Sequence, residues 1–408
     1  MTILLISVDY SEKSSKVAAK MLKQLALEFV RRGEKIIVIA PDEELVTEQY
    51  KVTSDSGIEV WHFKSGPLQN IPHIQRGINE SLLSYKAWRA LKHKILNTKI
   101  DSIVFYTPTI FFGPLIKKIA KKKQIPVYMI MRDFFPQWLI DVGIISKHSL
   151  FAHYFRFVEK INYQVSTKIG VMSPNNLALF NQLHPKFTDK AEVLYNWTDT
   201  TKNLPKASFP SIRDQFNLKD KVIFFYGGNI GHAQDMKNLM NLAIALKDDH
   251  MAHFLFIGDG DEVQLIKEIA ATHQLNNFTH ISYISQEEYL SVLSEIDIGL
   301  FSLAKTHTAH NFPGKVFGYM AEKIPVLGSV NPGNDLIDII NQSTAGFISV
   351  NGDNNQLLTH AKQLLSSQVL REKCGTNGYH LLQRQFSTQK AAETILNEIS
   401  KNDLNIKK

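Results

Sequence analysis

Short apolar runs alternate with longer stretches of helical periodicity along most of the chain. Ile3–Val8 is rich in Ile, Val and Leu, as expected of a strand buried on both faces, and the apolar positions of Val17–Val30 recur at helical spacing. Lys35–Ala40 reads as the next strand, and the same succession runs on to Val127–Met131 and restarts at Lys221. This alternation predicts an α/β protein with open, doubly wound sheets.

The chain is too long for one ordinary hydrophobic core. Its 408 residues predict two domains. Thr198–Pro205 is polar and rich in turn residues, which makes it a linker candidate between the two runs of alternation. We therefore place an N-terminal Rossmann-like domain at residues 1–195 and a C-terminal one at residues 196–386.

Composition narrows the classes of protein. Hydrophobic residues make up 44% of the chain, which fits a folded globular protein rather than a disordered one. The net charge of +7 favours an anionic partner, and no recognised nucleic-acid-binding signature accompanies it, so nucleic acid is not expected. One cysteine, Cys374, excludes an internal disulfide and fits a reducing cytoplasm.

Membrane contact, if any, is expected to be peripheral. Met1–Asp9 has no basic segment, its apolar run is too short for a signal peptide, and no uncharged apolar run is long enough to span a bilayer. Two helical stretches crowd basic residues among apolar ones and fit either an anionic lipid surface or an ordinary solvated helix face. Their basic residues are Lys86, Arg89, Lys92, His93 and Lys94, then Lys117, Lys118, Lys121, Lys122 and Lys123.

Two strand-to-helix junctions in the second half are candidate phosphate sites. Phe312–Lys315 starts a helix, whose unpaired N–H groups and dipole could hold a diphosphate together with Lys315. A surface lysine on an ordinary helix fits the same pattern. Gly227–Gly231 follows the strand Lys221–Tyr226. Its glycines either allow a phosphate to approach the backbone closely or serve only the conformation of the turn. Its spacing matches neither the dinucleotide fingerprint nor the P-loop.

Arg132 and Asp133 follow a predicted strand in the first half. Ligands of open α/β sheets bind beyond the carboxyl ends of strands, so Asp133 is a candidate to orient or deprotonate a hydroxyl and Arg132 to hold an anion. The structural alternative is that Asp133 caps the next turn and pairs with Arg132.

Together these motifs resemble the retaining glycosyltransferases of the GT-B fold, family 4, over nearly the whole chain. Met131–Pro136 and Asn196–Trp197 look like the subgroup that acts in bacterial surface-polysaccharide synthesis, including L-fucosamine transferase-like enzymes. The motifs in the second half are Tyr226–Gly231 with Gln234 and Asp235, Ile257–Gly260, Ser282–Ser285, and Pro313–Lys315 through Tyr319–Ala321 to Pro325 and Val326.

The resemblance implies two Rossmann-like domains facing across a cleft, with a C-terminal helix at about 387–402 packing back on the first domain. It places Asp133 beside the reacting sugar, with Arg132 as the second candidate catalytic residue. No metal or cofactor is expected, since the fold type needs no metal. The donor-binding residues that it implies are Gly228, Asn229, Gln234, Asp259, Tyr283, Ile284, His310, Asn311, Gly314 and Lys315.

The implied reaction moves a sugar with retention from a nucleotide sugar to a lipid-linked saccharide. The expected donor is UDP-linked, for example an N-acetylated amino sugar, and the expected acceptor is polyprenyl-diphosphate-linked. The setting is O-antigen or capsule synthesis at the inner, anionic face of the plasma membrane.

The chain departs from the family pattern at one binding feature. Relatives carry two glutamates eight positions apart, and His310 and Gly318 stand there instead, so the ribose must be bound differently. Two alternatives therefore stay open: a non-catalytic assembly partner that binds nucleotide sugar, and a nucleotide-sugar epimerase on the same fold.

Overall fold

The computed structural model describes residues 1–10, 17–200, 209–306 and 314–406, with only the backbone given for His73 and 402–406. The chain divides into two compact units. Unit 1 is Met1–Asp199 together with Thr388–Lys408, and unit 2 is Thr200–Ser387. The division falls inside the linker candidate, four residues beyond the boundary placed from the sequence, and the C-terminal segment belongs to unit 1.

Unit 1 is built on a sheet that has eight strands among the described residues, in the order β3-β4-β2-β1-β5-β6-β7-β8. The pairings are parallel except that β3 runs antiparallel to β4. The strands are β1 (Thr2–Ile6), β2 (Lys35–Asp42), β3 (Tyr50–Asp55), β4 (Ile58–Lys64), β5 (Ser102–Tyr106), β6 (Val127–Ile130), β7 (Lys168–Val171) and β8 (Ala191–Val193). The helices up to the linker are α1 (Val17–Arg31), α2 (His73–Ser81), α3 (Leu83–Asn97), α4 (Gly113–Lys123), α5 (Gln137–Asp141), α6 (Leu150–Val165) and α7 (Pro174–Leu183).

Unit 2 carries a fully parallel sheet with six strands among the described residues, in the order β11-β10-β9-β12-β13-β14. Its strands are β9 (Val222–Gly227), β10 (Ala252–Ile257), β11 (Phe278–Ile281), β12 (Ile298–Ser302), β13 (Val326–Val330) and β14 (Gly346–Val350). Its helices are α8 (Ile212–Gln215), α9 (Met236–Ala245), α10 (Val263–Thr272), α11 (Gln286–Leu293), α12 (Gly314–Ala321), α13 (Leu336–Gln342), α14 (Asn354–Ser366) and α15 (Gln368–Leu381). The last helix, α16 (Thr388–Ile406), returns to unit 1.

Both faces of the unit-1 sheet are covered by helices. On one face α3 and α4 bury apolar residues such as Leu91 and Leu115, and on the other α1 and α16 bury residues such as Leu25 and Ile395. Leu91, Ile95, Leu115 and Ile116, interleaved with the basic residues of α3 and α4, therefore belong to the core. Tyr85 and Leu96 of α3 are exposed, as are Arg89 and Lys117.

Local sequence accounts for several features of these elements. α2 and α3 meet at Leu82. The edge strand β3 was not predicted, because an edge strand exposed on both faces lacks a continuous apolar side. Ser173 caps α7, since its hydroxyl accepts a hydrogen bond from the Asn176 N–H.

Across the ranges that the structure describes, none of the helices combines the length and the apolar character needed to cross a bilayer.

Candidate functional site

In unit 2 the strand order reverses between β9 and β12. Ligands of open parallel sheets bind outside the carboxyl ends of the strands at such a reversal. β9 ends in Gly227 and is followed by Gly228, and β10 is followed by Gly258. We call the residues Gly227–Ile230, Gly258–Gly260 and Lys315 the glycine corner.

The two turns of the glycine corner touch each other through their backbones. Gly228 has a φ of +122° and Gly258 a φ of +147°, values that side-chain-bearing residues rarely adopt. A Cβ added at Gly258 would lie 1.9 Å from the carbonyl oxygen of Gly228. Glycine is therefore required for this packing, and the turn that follows β9 is held against the one that follows β10.

Lys315 completes the corner from the second residue of α12. Its Nζ lies 3.5 Å from the centroid of the Tyr226 ring, and a Cβ added at Gly228 would lie 3.6 Å from the same Nζ. Burial lowers the pKa of Lys315 to about 7. Within the described part of the chain no carboxylate pairs with this amine, so the corner places an unpaired amine, partly charged near pH 7, beside a glycine backbone.

Other predicted donor-binding residues surround the corner. The Asn229 amide donates to Oε1 of Gln234 at 2.9 Å, and Asp259 accepts a hydrogen bond from the Tyr283 N–H at 3.0 Å. Ile284 lies in the same loop as Tyr283, between β11 and α11. The turns after β9 and β10 and the loop after β11 are thus joined beside the corner.

Two of the predicted donor residues cannot be placed. His310 and Asn311 lie outside the described residues. Gly314, the first residue of α12, is exposed and has open space around its Cα. A Cβ added at Gly318 would have Cδ1 of Leu293 as its nearest neighbour, at 3.9 Å. The space beside Gly318 could therefore hold a side chain.

Tyr319 supports the corner and was not predicted as a site residue. Its buried hydroxyl accepts a weak hydrogen bond from the Gly227 N–H at 3.4 Å and donates to the carbonyl oxygen of Leu300 at 3.1 Å. It therefore ties β9 to β12 at the reversal of strand order. The sequence signal for this close packing was Gly299, a glycine within the buried strand β12. A Cβ there would lie 2.4 Å from the Tyr319 ring.

Unit 1 contains a cavity of about 1640 Å³, which we call the unit-1 cavity. It lies at the carboxyl ends of the central strands, with Asp9 following β1, Thr109 following β5 and Asp133 following β6. This is the position at which an open α/β sheet binds its ligands. The cavity is large enough for an oligosaccharide-sized molecule.

Asp133 is the candidate base of this cavity. Burial raises the pKa of its carboxyl, while hydrogen bonds from the Phe134 backbone and the Trp138 side chain lower it. Trp138 was not predicted from the sequence. Its indole both lines the cavity and orients the carboxylate.

Arg132 plays a different part from the anion-binding role considered for it. Its buried guanidinium donates to the carbonyl oxygens of Met131 at 3.0 Å, Gly170 at 3.3 Å and Tyr195 at 3.3 Å. It also lies 5.3 Å from the Trp197 ring, and burial lowers its pKa to about 10. These contacts replace the pairing with Asp133 that was the structural alternative. We interpret Arg132 as a positioning residue that joins β6, β7 and the chain after β8.

The unit-1 cavity is lined by both charged and aromatic side chains. The ring centroids of Phe135 and Phe155 lie 5.1 Å apart. The acidic residues are Asp9, Asp42, Glu43, Glu44, Asp55, Glu80 and Asp133, the basic residues are Lys23, Lys51 and Arg76, and the aromatic residues are Tyr10, Phe111, Phe135, Trp138, Phe151, Tyr154 and Phe155.

The part of the chain that carries the glycine corner is similar to a known family. Residues 208–381 match the family model described as glycosyl transferases group 1. This range spans the whole sheet of unit 2 and includes each residue of the corner.

Two curated relatives carry related names. The chain is 26% identical over 227 residues to the probable glycosyltransferase WbjE of Pseudomonas aeruginosa, covering 54% of each chain. It is 22% identical over 230 residues to the putative colanic acid biosynthesis glycosyl transferase WcaI of Escherichia coli K12, covering 55% of this chain and 56% of that one. The matches thus span about half the length of these relatives.

A solved structure extends the likeness to both units. HepE of Anabaena in complex with UDP superposes with a TM-score of 0.64 at 14% identity, covering 98% of this chain and 100% of that one. The prediction of two doubly wound, Rossmann-like α/β units is therefore confirmed.

Proposed function

We propose, on the premise that residues 208–381 are a glycosyl transferases group 1 domain, that this protein is a retaining glycosyltransferase. The donor is a nucleotide sugar, UDP-linked and for example an N-acetylated amino sugar. The observation that carries the proposal is Lys315 poised over Gly228, a cation beside a glycine turn with no carboxylate partner among the described residues. The UDP complex of HepE supports UDP as the nucleotide.

The glycine corner suits the charge that develops during sugar transfer. As the bond to the sugar breaks, negative charge grows on the departing diphosphate. Lys315 and the N-terminus of α12 supply fixed positive potential there, and the backbone around Gly228 can approach the phosphates closely. Diphosphate binding would favour the charged form of Lys315, which burial disfavours in the free protein.

Asp133 is the residue that we assign to the acceptor. Its raised pKa makes the carboxylate a better proton acceptor than an ordinary aspartate, and Trp138 fixes its orientation. The size of the unit-1 cavity fits a saccharide, and its aromatic lining residues can stack against sugar rings. The step assigned to Asp133 is to orient the attacking hydroxyl and take up its proton.

The proposed class of acceptor rests on the names of the relatives and on the basic residues of α3 and α4 in unit 1. WcaI carries a name from colanic acid synthesis, which supports a role in surface polysaccharide assembly. We propose a polyprenyl-diphosphate-linked saccharide at the cytoplasmic face of the plasma membrane, in O-antigen or capsule synthesis. No metal ion or cofactor is part of the proposal, and nucleic acid is not a proposed partner.

The proposal is tested by UDP release. The full chain is incubated with a panel of UDP-sugars, with and without a membrane lipid extract from a polysaccharide-producing bacterium. The expected result is lipid-dependent UDP release that Lys315→Ala and Asp133→Ala abolish while the circular dichroism spectrum stays unchanged. Full turnover in both variants would overturn the site assignment.

The same assay separates the two rival functions. A non-catalytic assembly partner would bind UDP-sugar without releasing UDP under any condition. An epimerase would convert the sugar of the nucleotide sugar without needing the lipid extract. Chromatography of the nucleotide products distinguishes the three outcomes.

A further inference from the structure

Two tyrosines from different helices approach Gly227 at the carboxyl end of β9. Tyr319 of α12 is fully buried, and its hydroxyl accepts from the Gly227 N–H and donates to the Leu300 carbonyl oxygen. Tyr289 of α11 is half-buried, and a Cβ added at Gly227 would lie 2.7 Å from its hydroxyl oxygen. The Tyr289 hydroxyl therefore lies against Gly227, where the glycine corner begins.

The hydroxyl of Tyr289, unlike that of Tyr319, has no hydrogen-bond partner among the residues that the structure describes. Packing holds its ring in place: the centroid lies 5.8 Å from that of Phe225, and a Cβ added at Gly227 would lie 2.5 Å from Cε2. Burial raises the pKa of this phenol, so the hydroxyl keeps its proton at neutral pH. Tyr289 thus presents a fixed hydrogen-bond donor at the edge of the corner.

Tyr289 lies between the two parts of unit 2 that are predicted to contact the donor. On one side is the amine of Lys315 beside Gly228, the proposed seat of the diphosphate. On the other is the loop after β11, which immediately precedes α11 and is tied to the turn after β10 by the hydrogen bond from the Tyr283 N–H to Asp259. The ribose is the part of a nucleotide that joins the diphosphate to the base. A nucleotide that spans from the corner to this loop would place its ribose beside Tyr289.

The facing helix α12 offers the ribose no carboxylate. This helix, which the structure describes in full, contains no acidic residue. Its Gly318 leaves space towards Leu293, and Leu293 lies one turn after Tyr289 on the same face of α11. The open space and the Tyr289 ring therefore lie along the same groove between α11 and α12. A phenol can bond a sugar hydroxyl as a carboxylate would, without adding a negative charge near the diphosphate.

We infer that Tyr289 recognises the ribose of the donor nucleotide, its hydroxyl donating a hydrogen bond to the oxygen of a ribose hydroxyl. The inference rests on the proposed function, because it requires the diphosphate to occupy the glycine corner. It divides donor recognition between a neutral contact from α11 and the amine of Lys315 on α12. Tyr289 is then a specificity residue, which distinguishes ribonucleotides from nucleotides that lack a ribose hydroxyl.

The test is calorimetric binding of UDP, 2′-deoxy-UDP and 3′-deoxy-UDP to the full chain. Tyr289→Phe keeps the ring that packs on Phe225 and removes only the hydroxyl, so its urea unfolding should match that of wild type. The variant should bind UDP about 5- to 10-fold more weakly. Wild type should lose a similar factor on one of the two deoxynucleotides. On that nucleotide the variant should lose nothing further, because the two groups removed are each other's partners.

Tyr379→Phe is the matched control. Tyr379 is a half-buried tyrosine of unit 2 on α15, and its hydroxyl accepts a hydrogen bond from Gln383 at 2.8 Å. This variant should bind all three nucleotides as wild type does.

Two results would overturn the inference while leaving the proposed function in place. One is equal affinity for UDP in wild type and Tyr289→Phe. The other is a loss in Tyr289→Phe that is the same for all three nucleotides, which would assign the hydroxyl to a phosphate or to the fold. Failure of wild type to bind UDP would overturn the proposed donor as well. UDP release by Lys315→Ala judges the proposed function separately, because that variant keeps Tyr289.

Discussion

The two units hold their candidate sites in different ways. The glycine corner of unit 2 is made of backbone turns in direct contact and one cation, Lys315. The unit-1 cavity is lined by side chains, among them carboxylates, including Asp133, and aromatic rings. Each site lies at the carboxyl ends of parallel strands. The glycine corner is formed mainly by backbone atoms, whereas the cavity is formed by side chains.

This difference matches what each site is proposed to bind. A diphosphate is recognised by N–H groups and positive charge at close range, which a glycine backbone supplies with little room for variation. A saccharide on a lipid is recognised by shape, stacking and scattered hydrogen bonds, which many sets of side chains can supply. We therefore expect substitutions in the glycine corner to affect donor binding or folding, and substitutions in the unit-1 cavity to affect turnover.

The largest expected effect separates chemistry in unit 1 from binding in unit 2. Asp133→Asn keeps the shape and the hydrogen bonds from Trp138 but removes the proton acceptor. We expect turnover to fall by about 10²- to 10⁴-fold, as for loss of a general base, while UDP affinity stays unchanged. Steady-state UDP release and calorimetric UDP binding measure the two quantities. A parallel loss of UDP affinity would place Asp133 in donor binding and break the comparison.

The next effect tests the backbone contact within unit 2. Gly258→Ala would force a Cβ to within 1.9 Å of the Gly228 carbonyl oxygen, in a backbone conformation with φ +147°. We expect a loss of at least about 3 kcal/mol in the free energy of unfolding, measured with urea. The matched control is Gly352→Ala, which also has positive φ but open space around it, and should cost about 1 kcal/mol. Equal costs would mean that the two turns do not depend on contact.

The smallest expected effect concerns a buried carboxyl of unit 1. Burial raises the pKa of Glu159 to about 7, although the Tyr163 hydroxyl donates to it at 2.7 Å. The folded state therefore binds the proton more tightly than the unfolded chain, so this carboxyl costs stability as pH rises from about 4.5 to 7. Burial lowers the pKa of the nearby His184 to about 4, which costs stability in the opposite direction, as pH falls below about 6.5.

Glu159→Gln isolates the carboxyl from the histidine. Relative to wild type, the variant should gain about 2 to 3 kcal/mol of stability between pH 4.5 and pH 7. Urea unfolding at several pH values measures the difference, and Glu287→Gln, an exposed site on α11, should show no such trend. A pH-independent difference would mean that Glu159 is ionised in the folded state.

The glycine corner was predictable from the sequence because its parts are local. A strand that ends in Gly227–Gly228 and a lysine at a helix start both appear in a few consecutive letters. The contact between Gly258 and the Gly228 carbonyl was not predictable, because it depends on how neighbouring strands pair. Tyr319 was missed as a site residue for the same reason, since its hydroxyl acts on two strands that lie far away in the chain.

The aromatic lining of the unit-1 cavity was not predictable from the sequence. Its rings come from separate loops and helices, and Phe111, Phe135 and Phe151 each read as ordinary apolar residues. The spacing of apolar residues along a helix shows which of its faces packs on the core. It cannot show that the apolar side chains at the start of α6 are exposed. On the basic helices the same spacing includes both buried residues, such as Leu91, and exposed ones, such as Leu96.

The central claim is that Lys315 and the glycine corner bind the diphosphate of the donor. UDP binding by calorimetry on Lys315→Met tests this most directly, with Lys323→Met as the control, because Lys323 also lies over a tyrosine ring of unit 2. We expect wild-type affinity to fall as pH rises from 7 to 9, since the pKa of Lys315 is about 7 and binding requires the charged amine.

In Lys315→Met the affinity for UDP should drop by about 10- to 100-fold at pH 7 and lose this pH dependence. Lys323→Met should match wild type in both respects. UDP affinity in Lys315→Met equal to that of wild type, with the same pH dependence, would contradict the account.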